Sequence, residues 1–599
     1  MINSRNRYHR TSAIALLLAG GIAFTSAPVA SQEQPKSLVP SFVDGQLEKP
    51  LVTSPTPSVP QVTEEQPASD LKENLPTIVT GDLGAVHPVS INLAGDASLG
   101  SDMWQGTGPA FVIRLLEKLA PPSEGGVSAD LYQLLLKSGG AVAGSEDIAN
   151  EVLDLRFEKL LTGGLSEEVQ ALIARLPANA KTPERRRYEL EALMLAGKGT
   201  AACEAGETLE ATSTIAAFLS KFAIYCHLAA GEFDRADVKY ALMEELGDVT
   251  PFFASLYARA AGGNQPLAIE NADWNIINTG LYTLIPADKK SDDDVKELRQ
   301  PSAIQQIYAS HKDRNSVSFE TLAKLYKAGM SSVSDVAALL PKEIAGEDAV
   351  GKYDRYLASL QAVSAATTDE DRAAALINVW ALSDNMSDYK LMSALSMPEL
   401  EKMTGKVLPP EFALEAVKAS LVAERGDLAK AWERTARRAV FQGEAAQRLQ
   451  ARKIVSRIDM YMMTAKEKAI ARWTESSLDD WIEASEGDAN QAASASLLVS
   501  QMEVLGQPVI EADWQGLLQL PQPLWQVKSN HSLENALVLA ATNGQKGATV
   551  ALALMMIGDT PLKDISLTSL RAVTAALKAI GQEQISKRIA LEAFIARGV

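Results

Sequence analysis

The sequence predicts an all-α protein: a superhelix of antiparallel helical hairpins (an α-solenoid) behind a disordered N-terminal segment. Three observations predict it. Apolar residues make up 46% of the 599 residues but aromatics only 6%, and alanine and leucine lead the apolar set. That mix favours helices, because half-buried strands prefer β-branched and aromatic side chains. Helical spacing of the apolar positions sets in near Trp104 and runs on through the chain. A turn of glycine, four residues and a small residue recurs between Ala/Leu-rich stretches.

The first 31 residues read as a secretory signal. Arg5, Arg7 and Arg10 precede the uncharged run Ala13 to Phe24, and small residues close with Val29-Ala30-Ser31, placing cleavage before Gln32. The run is shorter than the about 20 residues a spanning helix needs, and no later stretch is long and apolar enough. The expected location is the periplasm, with no transmembrane segment beyond the signal. Cys203 and Cys226 suit an oxidising compartment. Neighbouring antiparallel helices would bring them together as a disulfide; the alternative is two buried thiols. No C-x-x-C occurs, which argues against thiol-redox catalysis.

Residues 32–100 read as a proline-rich, disordered linker. Pro35, Pro40, Pro50, Pro55, Pro57, Pro60, Pro67 and Pro76 deny it helix and sheet ladders, and one short strand is expected at 85–93. From 101 to 599 the helical-repeat region follows. Phe111, Leu115, Leu116 and Leu119 fall on one helical face. Thr182-Pro183-Glu184 is a helix start: a capping hydroxyl, proline in the first turn, an acid at the positive end. Ser291 with Asp292 to Asp294 reads as a second start. It lacks the glycine and closing glutamate of a calcium loop.

The recurring turn appears at Gly197 to Ala202, Gly231 to Ala236, Gly426 to Ala431 and Gly581 to Ser586. Glycine adopts the left-handed conformation that ends a helix, and the small residue one turn later lets two helices approach. Such hairpins cannot hide their apolar faces alone, so they stack. The best copies, 222–246 and 416–440, resemble tetratricopeptide-type hairpins, although a 34-residue period is not kept. The layout also resembles that of uncharacterised exported helical proteins of alphaproteobacteria. That likeness rests on Leu155 to Leu160, the Cys203 to Cys226 segment and the Gly581 to Ala596 hairpin. It implies no activity.

Chemical signatures are scarce. His87, His227, His311 and His531 are far apart, and no H-e-x-x-H, G-x-S-x-G or phosphate-binding glycine loop is present. No catalytic residue, metal or cofactor is expected. Ser387 to Lys390 matches S-x-x-K without its companion motifs. Asp479, Asp480 and Glu483 around Trp481 read as a helix start rather than as a sugar-cleaving pair. The net charge of −18, from 75 acidic and 57 basic residues, disfavours nucleic acid. One stretch, 431–470, runs against it with nine basic and four acidic residues. There Arg434 and Arg438, Arg448 and Arg452, and Lys453 and Arg457 share helical faces, either as a docking face for an acidic partner or as a solvated face. The expected function is a non-enzymatic periplasmic scaffold binding envelope proteins. The alternative is an accessory or degenerate cell-wall enzyme, or a glycan-binding protein, with peptidoglycan as partner.

Overall fold

The computed structural model describes residues 87–599 apart from 123–125, 292–293, 296–297, 299, 312–317, 341–350, 466–471, 489, 519 and 521–529. The signal at 1–31, the linker as far as residue 86, and Asp292 and Asp293 lie outside the described residues.

Among the described residues there is no β-strand, and α-helices follow one another throughout. The first group is α1 (Pro109–Lys118), α2 (Val127–Lys137), α3 (Glu146–Thr162), α4 (Ser166–Arg175) and α5 (Pro183–Leu195). Next come α6 (Gly199–Gly206), α7 (Ala216–Ala229), α8 (Phe233–Glu245), α9 (Pro251–Ala260), α10 (Ile276–Leu284) and α11 (Pro301–Ser310). The third group begins with α12 (Phe319–Lys327), α13 (Val333–Leu339), α14 (Lys352–Ala365), α15 (Asp369–Ala381), α16 (Met386–Lys402), α17 (Pro410–Val422) and α18 (Gly426–Ala439). It continues with α19 (Ala445–Ala465), α20 (Ser477–Ala484), α21 (Gln491–Val504), α22 (Glu511–Leu517), α23 (His531–Thr542), α24 (Lys546–Ile557), α25 (Leu567–Ala579) and α26 (Glu583–Arg597). Consecutive helices pack pairwise, as in a solenoid: α4 on α5, α7 on α8, α14 on α15, α17 on α18, α23 on α24 and α25 on α26.

The hairpin turns explain this pairing. After α5, α7 and α25 the chain turns through Gly197, Gly231 and Gly581 at φ 72°, 75° and 86°. Each turn returns the next N–H to a carbonyl five residues back: Lys198 to Leu193, Glu232 to His227 and Gln582 to Leu577, at 2.8–2.9 Å. These bonds satisfy carbonyls that a helix end leaves orphaned. Five residues after each glycine, Ala202, Ala236 and Ser586 are fully buried between the paired helices. The third copy is framed differently from its expectation. There the left-handed residue is Glu424 (φ 60°), Arg425 donates to Ser420, and the buried small residue is Ala429; Gly426 merely begins α18. A further copy turns at Gly544 (φ 69°) and buries Thr549.

Other local expectations divide. Thr182 caps α5, its Oγ1 accepting from Arg185 N at 3.4 Å. Asp294 accepts from Ser291 N at 3.0 Å and pairs with Arg259, and among the described residues the next α-helix opens at Pro301. On α1 the buried face is Val112, Leu115 and Leu116, continued by Leu119, and Phe111 stays exposed. Of the strand expected at 85–93, the described residues 87–93 form no strand but a 3-10 turn at Pro88–Ser90. One backbone bond, Leu93 N to Lys137 O at 2.8 Å, makes no ladder. Residues 87–100 nevertheless belong to the packed unit: Val89 and Leu99 are buried, and the buried Arg156 guanidinium donates to Ile91 O at 2.8 Å and Leu136 O at 2.6 Å.

Among the described residues two apolar cores form. A long core takes residues from Val89 to Ala180 and from Phe319 to Val599, joined by Ala192 and Leu195. A lobe core takes Leu190 to Leu325, so α5 contributes to both. The long core closes on itself, because α1 packs on α24, and α2 on α24 and α26. Lys546 pairs with Asp102 at 2.9 Å, and Gly547 N donates to Met103 O at 2.8 Å. A Cβ on Gly547 would stand 2.7 Å from the Trp104 ring, so only glycine permits this approach.

Candidate functional site

The closure brings distant helices around one cavity of about 790 Å³. Its wall is assembled from the start of α2, the end of α15, the turn into α16, the middle of α17, the 558–563 loop and α26. Gly126, at φ 65°, precedes α2, and Ser128 Oγ donates to Gly558 O at 3.2 Å, which joins α2 to the loop after α24. Asn385 caps α16 and so sets Ser387 at the wall.

The charges in and behind the wall are mostly paired. Asp388, fully buried on α16, lies between Lys327 Nζ at 2.8 Å and Lys352 Nζ at 2.6 Å. Lys352 also holds Asp384 at 2.9 Å, and this bond keeps the Asp384 carboxyl below its ordinary pKa. On α17, Lys418 pairs with Glu415 at 2.8 Å and lies 5.4 Å over the Tyr461 ring. Burial opposes the Lys418 charge, but Tyr461 and Glu415 outweigh it and hold its pKa up. Burial, with Glu415 beside it, drives the Tyr389 phenol well above its ordinary value.

Glu592 on α26 is the exception. It is 6% exposed, lines the cavity, and makes no hydrogen bond or ion pair among the described residues. Burial pushes its carboxyl above the ordinary value, while Arg588 and Lys390 pull it down. Those two cations are already engaged: Arg588 with Asp130 at 2.5 Å and Glu424 at 3.8 Å, Lys390 with Glu424 at 3.6 Å.

The sequence-predicted residues scatter. Cys203 on α6 and Cys226 on α7 stand at disulfide distance, their Cα atoms 5.6 Å apart. Of the basic set, Lys453 lies 3.8 Å from Glu486, and Arg457 lies 3.5 Å from Asp488 and donates to Gly598 O. Arg448 donates to Gly443 O at 2.7 Å, whereas Arg434, Arg438 and Arg452 are exposed. A second hollow of about 570 Å³ joins Arg452 and Lys453 to Asp480 and Glu483, so the basic stretch and the acids beside Trp481 share one mixed-charge wall. The Trp481 ring itself is buried and offers no face to a sugar. Lys390 of the S-x-x-K match turns to Glu424, and Ser387 reaches the main cavity. Among the described residues, no three His, Cys, Asp or Glu side chains are placed to hold a metal, and no helix is long and apolar enough to cross a membrane.

The sequence placed α8 in the 222–246 hairpin but did not reveal its outer face. Only Ala236 and Met243 of that helix are buried; it packs on α7 and stacks Tyr240 on Tyr257 of α9 at 4.2 Å. Val238, Leu242 and Leu246 form an i, i+4, i+8 stripe on its outer side, exposed by 71%, 53% and 67%. The apolar spacing was the available signal, but outward and inward stripes look alike in a sequence. The chain matches no protein-family model, no curated protein and no solved structure.

Proposed function

We propose that this chain is a non-enzymatic, exported helical-repeat scaffold that binds envelope proteins in the periplasm. The signal-like N-terminus, the cysteine pair and the tetratricopeptide-like hairpins support that reading. The observation that carries it is the uncovered apolar stripe Val238–Leu242–Leu246 on an edge helix. Neighbouring helices hide such stripes against one another, and solvent-facing apolar patches rimmed by polar residues mark protein contacts. Acidic side chains outnumber basic ones along and beside α8, with Glu232, Asp234, Asp237, Glu244, Glu245 and Asp248 against Arg235 and Lys239. The partner that fits is an amphipathic protein helix with an apolar face and basic flanks.

The test is site-specific photo-crosslinking in intact envelopes, with the probe at position 238 or at exposed Lys118 of α1 as the control. A discrete protein adduct from 238, absent from the control and lost in Leu242→Asp, is the expected result. Leu242→Asp itself should shift the melting midpoint little, since the side chain is exposed. Identical adducts from both positions, or none, would overturn the scaffold reading. So would release of muropeptides from purified cell wall by the isolated chain, which is the outcome the cell-wall-enzyme alternative requires.

A further inference from the structure

We propose that the cavity walled by α2, α15, α16, α17 and α26 is a binding site for an organic cation, an ammonium group carried on an apolar body, with Glu592 as its counter-ion.

The charges around one buried carboxylate do not balance. Glu592 lies within electrostatic reach of Asp130 on α2, Glu424 in the α17–α18 turn, Lys390 on α16 and Arg588 one turn away on its own helix. Three acids thus face two cations. Both cations make their direct pairs with Asp130 or Glu424, and Glu592 has none. The cavity's own cations do not fill the gap: Lys418 is held by Glu415, and Lys563 stands exposed on the 558–563 loop. A buried carboxylate without a partner must take up a proton or find a cation.

The space beside it is suited to the second solution. A Cβ on Gly126 would stand 3.6 Å from Glu592 Oε2 and 3.3 Å from Ser387 Oγ. The carboxylate and the hydroxyl therefore flank one point of bare backbone on the cavity wall, where an ammonium can reach two oxygen acceptors. Apolar wall stands nearby: Ile377 is exposed although large and hydrophobic, and Met386 and Ile595 are half-buried. A volume of about 790 Å³ lies in the usual range for small-molecule sites. An anion would meet the uncompensated charge of Glu592, and a neutral apolar body would leave it unpaired, so neither suits the site.

The ammonium could be a free small amine or a lysine side chain presented by a peptide, and the experiment separates the two. Calorimetric titration of the full purified chain would use phenethylammonium, its neutral and anionic analogues 2-phenylethanol and phenylacetate, and Nα-acetyl-lysine amide. Phenethylammonium should bind at least tenfold more tightly than both analogues. A stronger signal from the lysine amide would identify a peptide source. Glu592→Gln should weaken ammonium binding at least tenfold and leave the far-UV spectrum unchanged. The wild-type series needs no variant, so the proposal stays testable even where the substitution unfolds the chain. Equal binding of the three phenethyl compounds, absence of binding by both ammonium probes, or full affinity in a folded Glu592→Gln protein would overturn it.

Discussion

The long core and the lobe core hold themselves together by different chemistry. The long core buries charge: Arg156, Lys327, Asp388, Lys418, Glu433 and Glu592 are all hidden there; Lys327 and Asp388 join α12 to α16, and the partly exposed Arg588–Asp130 pair joins α26 to α2. Among the described residues of the lobe core, Arg259, paired with Asp294 at 3.0 Å, is the buried charge. Both cores pack aromatic rings, but the lobe, the smaller of the two, leans on them more, with Phe252 and Tyr282 edge-on to Trp274 and Tyr240 on Tyr257, and on the Cys203–Cys226 pair. A closed array must match its beginning to its end, and ion pairs specify that register because misplaced charges are costly to bury. A lobe that leaves α8 nearly bare has little apolar surface to spare, and a crosslink between α6 and α7 compensates.

The comparison breaks first, and most severely, at Asp388. Asp388→Asn keeps the shape but leaves Lys327 and Lys352 with one fewer counter-charge in a buried setting. Removing one partner of a buried ion pair costs about 3–5 kcal/mol. Lys352 keeps Asp384, so the lower end of that range is expected. The urea midpoint should fall accordingly, with hydrogen exchange accelerated in α12, α14 and α16 and unchanged in α7 and α9. Equal acceleration in both regions would show that the two cores unfold as one.

The reciprocal experiment is reduction of the cysteine pair. Closing a loop over a separation of 23 residues is worth about 3 kcal/mol in the chain-entropy picture. Adding reductant should raise exchange in α6 to α9 and leave α17 and α18 as protected as before. A spread of the effect into the long core would place α5, which feeds both cores, as the route of coupling.

These differences also show what a sequence can reveal. The capped start at Thr182 and the turns at Gly197, Gly231 and Gly581 were legible, because their chemistry is completed within six residues. The Gly544 turn was missed: its buried small residue, Thr549, is polar and looks like surface. The packing of 87–100 depends on Arg156, some 65 residues away, and proline content alone spoke for a tether. The cavity is the extreme case. Its wall draws on residues from Gly126 to Ala596, and no local pattern marks Glu592 as unpaired. Ser387 attracted notice for a catalytic spacing, yet it matters here as a neighbour of Gly126.

The smallest expected effect lies in the turn that was framed two residues late. Glu424 takes a left-handed conformation, φ 60°, that its counterparts assign to glycine. An L side chain there costs about 1–2 kcal/mol. Glu424 is 64% exposed at its side chain, so its pairs with Lys390 and Arg588 return at most about 1 kcal/mol. Glu424→Gly should therefore raise stability by about 1 kcal/mol, read as a higher urea midpoint. The same change removes one of the cluster's three acids, which frees Lys390 to act on Glu592 while Arg588 keeps Asp130. Ammonium affinity should then fall severalfold while the protein becomes more stable. Gained stability with unchanged affinity would confine Glu424 to the turn. A loss of stability would mean that its ion pairs outweigh the strain, and that the charge cluster rather than the backbone holds α17 and α18 in place.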